Sequence, residues 1–478
     1  MTQPTLVWFR NDLRLADNPA LGEAVAAGGE VVPVYILDDA AAGQWRIGGA
    51  ARWWLHHSLA SLQDGLAGLG FRLRILRGDS GEAIDRLLAE TKSAAVFWNR
   101  RYEPWAIAQD KAIKAALEGR GVRARSFNAA LGREPWEVAR DGGQPYKVFT
   151  PFWRAWERQG ALPRPLPAPE PLGRAGRPDR EALQALELLP TRPDWAGGLR
   201  EAWQPGEPAA QAALADFLDG PINRYAADRN YPAKAGVSRL SPRLHHGELS
   251  PRQVWHAAHA RHSRGAASFV RELVWREFCH HLLFHFPDIA EQPLRPEFAD
   301  FPWADDRKLF RAWARGRTGY PLVDAGMREL WHTGYLHNRV RMVVASFLTK
   351  DLLIPWQQGA AWFWDTLCDA DLANNSANWQ WVAGSGTDAA PYFRIFNPVS
   401  QGEKFDLNGD YVRRWVPELA KLPGDMIQAP WDAPADARAA AGVTLGKSYP
   451  ERIVDHARVR ERALAAYRRL QGEVLQAG

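Results

Sequence analysis

Over the first 150 residues, short apolar runs alternate with amphipathic stretches. The runs are Thr5-Leu6-Val7-Trp8-Phe9, Val31-Val32-Pro33-Val34-Tyr35-Ile36, Phe71-Arg72-Leu73-Arg74-Ile75-Leu76 and Ala95-Val96-Phe97-Trp98. Each has the length of a strand. The stretches between them, around Trp53 to Leu69, Glu82 to Glu90 and Trp105 to Leu117, repeat apolar positions at helical spacing. Strands separated by helices predict an α/β domain on a parallel, Rossmann-like sheet. No Gly-x-Gly-x-x-Gly follows the first run, so the usual dinucleotide fingerprint is missing. A ligand of this domain would sit at loops beyond the strand ends.

From Pro163 to Pro208 there are ten prolines with interspersed Gly and Arg, which predicts an extended connector. Beyond it helical periods take over, at Ala210 to Leu218, Pro251 to Arg261, Ala267 to Phe284, Leu322 to Thr333, Leu336 to Lys350 and Ile453 to Leu470. The expected division is an α/β domain over 1–155, a linker over 156–208 and an all-helical domain over 209–478. No repeat of fixed period interrupts it.

With 478 residues, 46% hydrophobic and 24% charged, the chain has the composition of a globular protein. No run approaches a membrane span. Arg10, Asp12 and Arg14 follow too brief an apolar segment for a signal peptide, so a cytoplasmic location is expected. Two cysteines, Cys279 and Cys368, exclude a disulfide framework and a cysteine zinc site, and no metal is expected. The balance of 60 basic to 55 acidic residues permits a polyanionic partner without demanding one. The unusual number is 23 tryptophans, twelve of them after residue 220.

The densest chemistry lies in Asp369-Ala370-Asp371-Leu372-Ala373-Asn374-Asn375-Ser376-Ala377-Asn378-Trp379-Gln380-Trp381, followed by Gly384 to Asp388 and Ala390 to Pro398. Carboxylates, amides and indoles stand here where a plain core would hold Leu and Val. Buried polar groups need partners, and this set suits a large, flat, polar-edged redox ligand. Glu272, Trp275 and Arg276 share a helix face at i, i+3, i+4, either as an aromatic shelf for a base or as a solvated ion-paired face. In His337-Asn338-Arg339-Val340-Arg341-Met342, the residues Asn338, Arg341 and Met342 share a face while Arg339 could meet phosphate. Arg341 is a natural partner for Asp369 or Asp371. The loop Gly236 to Ser241, after Tyr225 to Arg229, suits phosphate or a helix start at Ser241-Pro242.

These segments, in this order, resemble the photolyase and cryptochrome family, most of all the bacterial class I cyclobutane pyrimidine dimer photolyases. The resemblance runs nearly end to end, from Leu6 to Leu15 with Asp17-Asn18, through Tyr146 to Phe152, Ser238 to Ser241, Trp275 to Phe278 and Thr318 to Pro321, to the block Asp369 to Pro398. It implies an antenna chromophore in the α/β domain and FAD, reduced and anionic when active, in the helical one. By resemblance Tyr225, Val237, Ser238, Arg239, Leu240, Ser241, Phe269, Asn338, Arg341, Asp369, Ala370, Asp371 and Asn375 surround FAD, with Asn375 at the flavin N5. Trp379, Trp356 and Trp303 match an electron-hopping chain. Glu272, Trp275, Arg276, Asn338, Met342 and Trp381 match the pocket for a flipped-out dimer, and Arg229, Arg339, Arg394 and Gln401 match backbone-phosphate ligands. Glu103 matches an acid that holds 5,10-methenyltetrahydrofolate, with 8-hydroxy-5-deazaflavin as the alternative antenna.

The implied activity is light-driven splitting of thymine dimers in UV-damaged DNA, by a monomer. Val237 stands where many members carry Thr, Tyr335 where Trp is common, and Ala290 and Glu291 where some folate binders have Cys and Lys. The rival readings are a (6-4) photolyase, a cryptochrome photoreceptor and a light-independent flavin oxidoreductase.

Overall fold

The computed structural model of the chain describes residues 3–171, 176–387 and 393–477, with side chains as far as residue 472. Asp388, Ala390, Pro391 and Tyr392 of the sequence motif lie outside the described residues. Strands β1 (Thr5–Phe9), β2 (Val31–Leu37), β3 (Arg74–Arg77), β4 (Ala95–Asn99) and β5 (Arg123–Phe127) form one parallel sheet in the order β3-β2-β1-β4-β5. Thr5 of β1 faces Val31 on one side and Ala95 on the other. Helices α1 (Pro19–Ala26), α2 (Gly49–Gly68), α3 (Ser80–Thr91) and α4 (Pro104–Glu118) make the crossovers. Asn18 and Asp79 cap α1 and α3, accepting the Leu21 and Glu82 N–H at 3.1 and 2.9 Å.

Both faces of the sheet are covered, which is why its strands read as continuous apolar runs rather than as alternating ones. Leu6, Trp8, Val34, Val96 and Trp98 pack on Ile84, Leu87, Ile113 and Leu117 of α3 and α4. Val7, Phe9, Tyr35 and Phe97 pack on Leu21, Leu55, Leu59 and Leu62 of α1 and α2. Burial of each such side chain contributes roughly 1.5–3 kcal/mol. The outer strands expose Arg74, Arg77 and Arg123, charges that discourage edge-to-edge pairing. The fifth strand, Arg-Ala-Arg-Ser-Phe, escaped the apolar pattern for that reason.

Compactness divides the chain into two units that do not follow chain order. The first takes residues 1–223, 238–287 and 368–373, and the second residues 224–237, 288–367 and 374–478. The first adds α5 (Phe149–Arg158), α6 (Pro251–His259) and α7 (Arg264–His285) to the sheet. Its proline-rich connector is packed, because Leu183, Leu186 and Leu188 enter the sheet core.

The second unit is helical, with α8 (Pro321–Thr333), α9 (Asn338–Ser346), α10 (Trp356–Thr366), most of α11 (Leu372–Ala383) and α12 (His456–Ala477). Gly334, at φ +63°, ends α8 in a left-handed cap. The helical period expected over Leu336 to Lys350 resolves into α9 and a π-turn, Phe347–Asp351. Thr318-Gly319-Tyr320-Pro321 has a structural use: buried Asp324 accepts from the Thr318 N–H and hydroxyl and the Gly319 N–H at 2.6, 2.7 and 3.0 Å, and from the Tyr449 hydroxyl at 2.8 Å.

The motif Arg10 to Asn18 is likewise a knot. Arg14, fully buried, donates to the carbonyls of Asp17, Ala129 and Gly247 at 2.7, 2.9 and 2.9 Å. Asp17, with no exposed surface, accepts from Arg252 at 2.6 and 3.0 Å, Ser250 at 2.5 Å and the Leu166 N–H at 3.0 Å. Asp17→Ala would strand the Arg252 guanidinium and is expected to cost about 3–5 kcal/mol. Chemical denaturation checks this, and a loss under about 1 kcal/mol would refute the knot's importance.

Candidate functional site

In an open parallel sheet, ligands settle at the carboxyl ends of the strands where the strand order reverses. That point lies between β1 and β4, and a pocket opens there. Asn11 and Asp12 after β1, and Asn99 to Glu103 at the end of β4, line it, together with Arg276, His280 and Asp371. The Asn99 amide donates to Asp12 at 2.6 Å and Asn18 at 2.7 Å, tying the two strand ends. Glu103 is paired with Arg101 at 2.6 Å; burial opposes its ionisation, but that guanidinium outweighs burial and lowers its pKa. The enclosed volume is about 30 Å³, room for water and not for a heterocycle. A roomier recess in the same unit, about 390 Å³, is lined by Arg100, Asn128, Arg133, Glu134, Trp136 and Arg252. Trp136 is 48% exposed there, with the Arg100 guanidinium 5.9 Å from its ring.

Helix α7 carries the three expected residues, and two of them have described contacts. Trp275 stacks on Phe149 at 3.7 Å with an 8° interplanar angle. Arg276 turns into the switch-point pocket and donates to the Ala130 carbonyl at 2.7 Å. Glu272 is half-buried on the same helix. Asp371 approaches His280 at 3.4 Å and His245 at 3.8 Å. Burial raises its pKa, but attraction to His280, hydrogen bonds from both histidines and Arg276 outweigh this and hold it well below the usual carboxylate range. Asp369 and Ala370 are buried beside it in sequence. Within the same unit Phe269 packs on Phe217 at 4.7 Å.

The loop Val237-Ser238-Arg239-Leu240-Ser241 carries a left-handed residue, Arg239 at φ +52°, whose guanidinium lies 4.1 Å from the Trp203 ring. A turn of this kind makes successive N–H groups converge. A short helix starts at Ser241, but the Ser241 side chain is not its cap. Two serine hydroxyls and a left-handed turn are a donor set that fits the phosphates of a dinucleotide.

In the second unit Asn375 of α11 donates its Nδ2 to the Ala360 carbonyl of α10 at 3.0 Å. That bond leaves Oδ1 as the acceptor end, the polarity that a reduced flavin's N5–H requires. Trp379 is buried, and its Nε1–H has no acceptor among the described residues. Trp356 is fully buried at the start of α10, and half-buried Trp303 packs on Phe301 at 4.5 Å. Sequence reasoning missed two features beside Trp379. A Cβ on Gly359 would fall inside the Trp379 indole, so the absent side chain is what lets this ring lie on α10. A run of rings leaves Trp379: Trp313 at 6.3 Å, then Phe310 at 5.7 Å, Trp362 at 6.4 Å and Trp331 at 6.0 Å. Trp331 is 58% exposed, so this run reaches solvent.

Arginines gather in the same unit. Arg339 donates to Asn230 at 2.7 Å and lies 4.4 Å from the Phe405 ring. Burial, then repulsion from Arg394 and Arg229, lowers its pKa, so the Arg339 guanidinium feels both of the others. Arg229 sits over Tyr225 at 5.3 Å and exposed Arg394 over Phe396 at 4.6 Å. Arg341 donates to the Leu336 carbonyl at 2.7 Å and lies 5.5 Å from the Tyr335 ring. Asn338 is exposed, and Met342, Trp381 and Gln401 are half-buried. His337 accepts the Arg339 N–H at 3.2 Å as the N-cap of α9. Burial, followed by repulsion from Arg339, Arg341 and Arg229, brings its pKa down to about 4.

A switch-point sheet joined to an indole-rich helical unit with a cationic cluster is the frame of a chromophore protein. Residues 5–171 match the family described as DNA photolyase, and residues 269–469 match the FAD binding domain of DNA photolyase. The chain belongs to the photolyase and cryptochrome family of flavoproteins. It is 53% identical to a deoxyribodipyrimidine photo-lyase of Agrobacterium fabrum strain C58, over 98% of each chain. It is 41% identical to cryptochrome-1 of Arabidopsis thaliana, over 95% of this chain and 69% of that one. It superposes on the crystal structure of a bacterial class III photolyase from Agrobacterium tumefaciens with a TM-score of 0.94 at 52% identity, covering 99% of this chain and 98% of the other.

Two measurements probe this geometry. Gly359→Ala would press on the Trp379 ring and is expected to cost about 1–3 kcal/mol, read as a lowered Tm; an unchanged Tm would contradict the packing. An unfolded histidine protonates near pH 6.5, whereas folded His337 protonates near pH 4. Between these values the unfolded state binds the extra proton, so stability is full above pH 6.5 and falls, by up to about 3 kcal/mol, as the pH drops to 4. His337→Asn keeps a cap acceptor and should remove that share of the pH dependence; parallel wild-type and variant curves would refute it.

Proposed function

We propose that this protein repairs cyclobutane pyrimidine dimers in UV-damaged DNA in a light-dependent reaction, as a monomer in the cytoplasm, and that it is of the class III kind. The observation that carries the reading is the cluster of Arg339 with Arg394 and Arg229, both of which repel it, in the unit that also holds Asn375 and the ring run from Trp379. Such a cluster suits a polyanion, whose phosphates it would hold in register. The class III subtype, in place of the class I expected from sequence, is favoured by the TM-score of 0.94 and 52% identity to the Agrobacterium tumefaciens structure.

In this reading FAD is held by Tyr225, Val237 to Ser241, Phe269, Asn338, Arg341, Asp369, Ala370, Asp371 and Asn375. Bound in its reduced form, it supplies the light-excited electron that opens the cyclobutane ring and takes it back, so no net oxidation or reduction occurs. The Ser238 and Ser241 hydroxyls and the N–H groups around Arg239 bind its phosphates. Asn375 presents its amide oxygen to the flavin N5–H, an orientation fixed by its bond to Ala360. Glu272 would hydrogen-bond a base edge of the flipped dimer, while Trp275, Met342 and Trp381 would give it apolar walls. Arg276 would act from the pocket side of α7. Gln401, whose buried Oε1 has no donor among the described residues, would join the phosphate-facing group.

Three rivals fit less well. A (6-4) photolyase would ask catalytic work of the His337 segment, yet His337 is buried and occupied as a helix cap. A cryptochrome signalling role or a flavin oxidoreductase would leave the arginine cluster without a use. For the antenna, a folate or, second, a deazaflavin, the recess faced by Trp136 is the better seat, since the space beside Glu103 is about 30 Å³ against about 390 Å³ there.

Reduced protein under blue light should restore dimer-containing oligonucleotides and leave (6-4)-containing ones unchanged; repair of neither would sink the reading. Trp356→Phe alone should slow flavin photoreduction only in part, because the Trp313 run remains, while Trp356→Phe with Trp313→Phe should abolish it. Repair by chemically reduced protein should survive both. Complete loss in the single variant would leave Trp313 without a role.

A further inference from the structure

Lys350 has no exposed surface and sits in the π-turn that follows α9, an irregularity frequent at functional positions. Burial holds its pKa well below the usual lysine range. Among the described residues no carboxylate is paired with it; the adjacent Asp351 is bonded to His456 instead. A buried ammonium without a counter-ion is costly, so its two contacts bear examination. Nζ donates to the carbonyl of Ala383, the last residue of α11, at 2.5 Å. It lies 3.0 Å from the centroid of the Phe393 ring, and that ring stacks on Tyr467 of α12 at 4.5 Å and 7°. Three residues further on, the Phe396 N–H donates to Ser346, the last residue of α9, at 3.1 Å.

The stretch Ser346–Lys350 thus holds the end of α11, two residues beyond Trp381, and the residues Phe393 and Phe396 on either side of Arg394. Arg394 is exposed and repels Arg339, so its place depends on how the chain beside it is held. We propose that Lys350 is a positioning residue for DNA binding: by fixing the Ala383 carbonyl and the Phe393 ring it holds the adjacent, exposed Arg394 where its guanidinium can engage a backbone phosphate. An apolar side chain of similar length would fill the volume but could not donate to the Ala383 carbonyl. The proposal rests on the reading that the protein binds UV-damaged DNA.

The test is the salt dependence of affinity for a dimer-containing oligonucleotide, with the flavin-loaded full chain and flavin absorbance as the folding control. Each phosphate contact contributes roughly 0.9 to the slope of log K against log salt for duplex DNA. Arg394→Ala should lower the wild-type slope by about that much. Lys350→Met is expected to lower it equally, and the double variant to match Arg394→Ala alone. A role confined to stability would weaken binding without moving the slope, or would add to Arg394→Ala, and either result overturns the proposal. Should Lys350→Met fail to fold, Phe393→Leu removes the ring contact and is expected to lower the slope in the same way; an unchanged slope there overturns it too. If the wild-type protein shows no preference for damaged DNA, the reading beneath the proposal fails, and this is seen before any substitution is made.

Discussion

The Asp17 carboxylate has no exposed surface, and groups from Leu166, Ser250 and Arg252 converge on it while its own carbonyl receives Arg14. A charge removed from water must find its partners inside the protein. That requirement organises much of the structure. It explains why segments far apart in the chain belong to one compact unit, and why the motif Arg10 to Asn18 is so polar directly after an apolar strand. With the Asn99 amide clamped between Asp12 and Asn18, the ends of β1 and β4 are held where the strand order reverses.

The same requirement has a second solution in the helical unit. There the charges that gather are of one sign. Arg229, Arg339 and Arg394 each lie over an aromatic ring. A flat guanidinium packed on a ring is held in place by packing and dispersion as well as by charge. Asp371, by contrast, is neutralised from within by His245, His280 and Arg276. Internally satisfied charges hold the frame, and externally directed ones carry the proposed function.

Aromatic packing links the frame to the chemistry. Trp379 lies on α10 only because residue 359 is glycine, and from it rings lead outward through Trp313 to Trp331. A ring placed by a missing side chain on a neighbouring helix is fixed more firmly than one placed by its own rotamer alone. The same economy of parts appears at Lys350, one side chain touching α11 and the Phe393 ring together.

The parallel sheet was legible in the sequence because burial on both faces makes a strand uniformly apolar, as in Thr5 to Phe9 and Val31 to Ile36. The family was legible because chemistry-bearing residues kept their order from Leu6 to Pro398. Strand β5 was not, since its edge position favours arginine over valine. Nor could local spacing separate Trp275, which turns to Phe149, from Arg276, which turns to the pocket; one helix face spans both until neighbours choose between them. Gly359, Trp313 and Lys350 carried no signal in their own segments, because what each does depends on a residue at least twenty positions away along the chain. The sequence by itself determined the element types and the inventory of charged and aromatic groups, both properties of neighbouring residues. Only the tertiary structure decided which charges are paired inside and which face outward, since pairing is set by distances that the chain's fold alone creates.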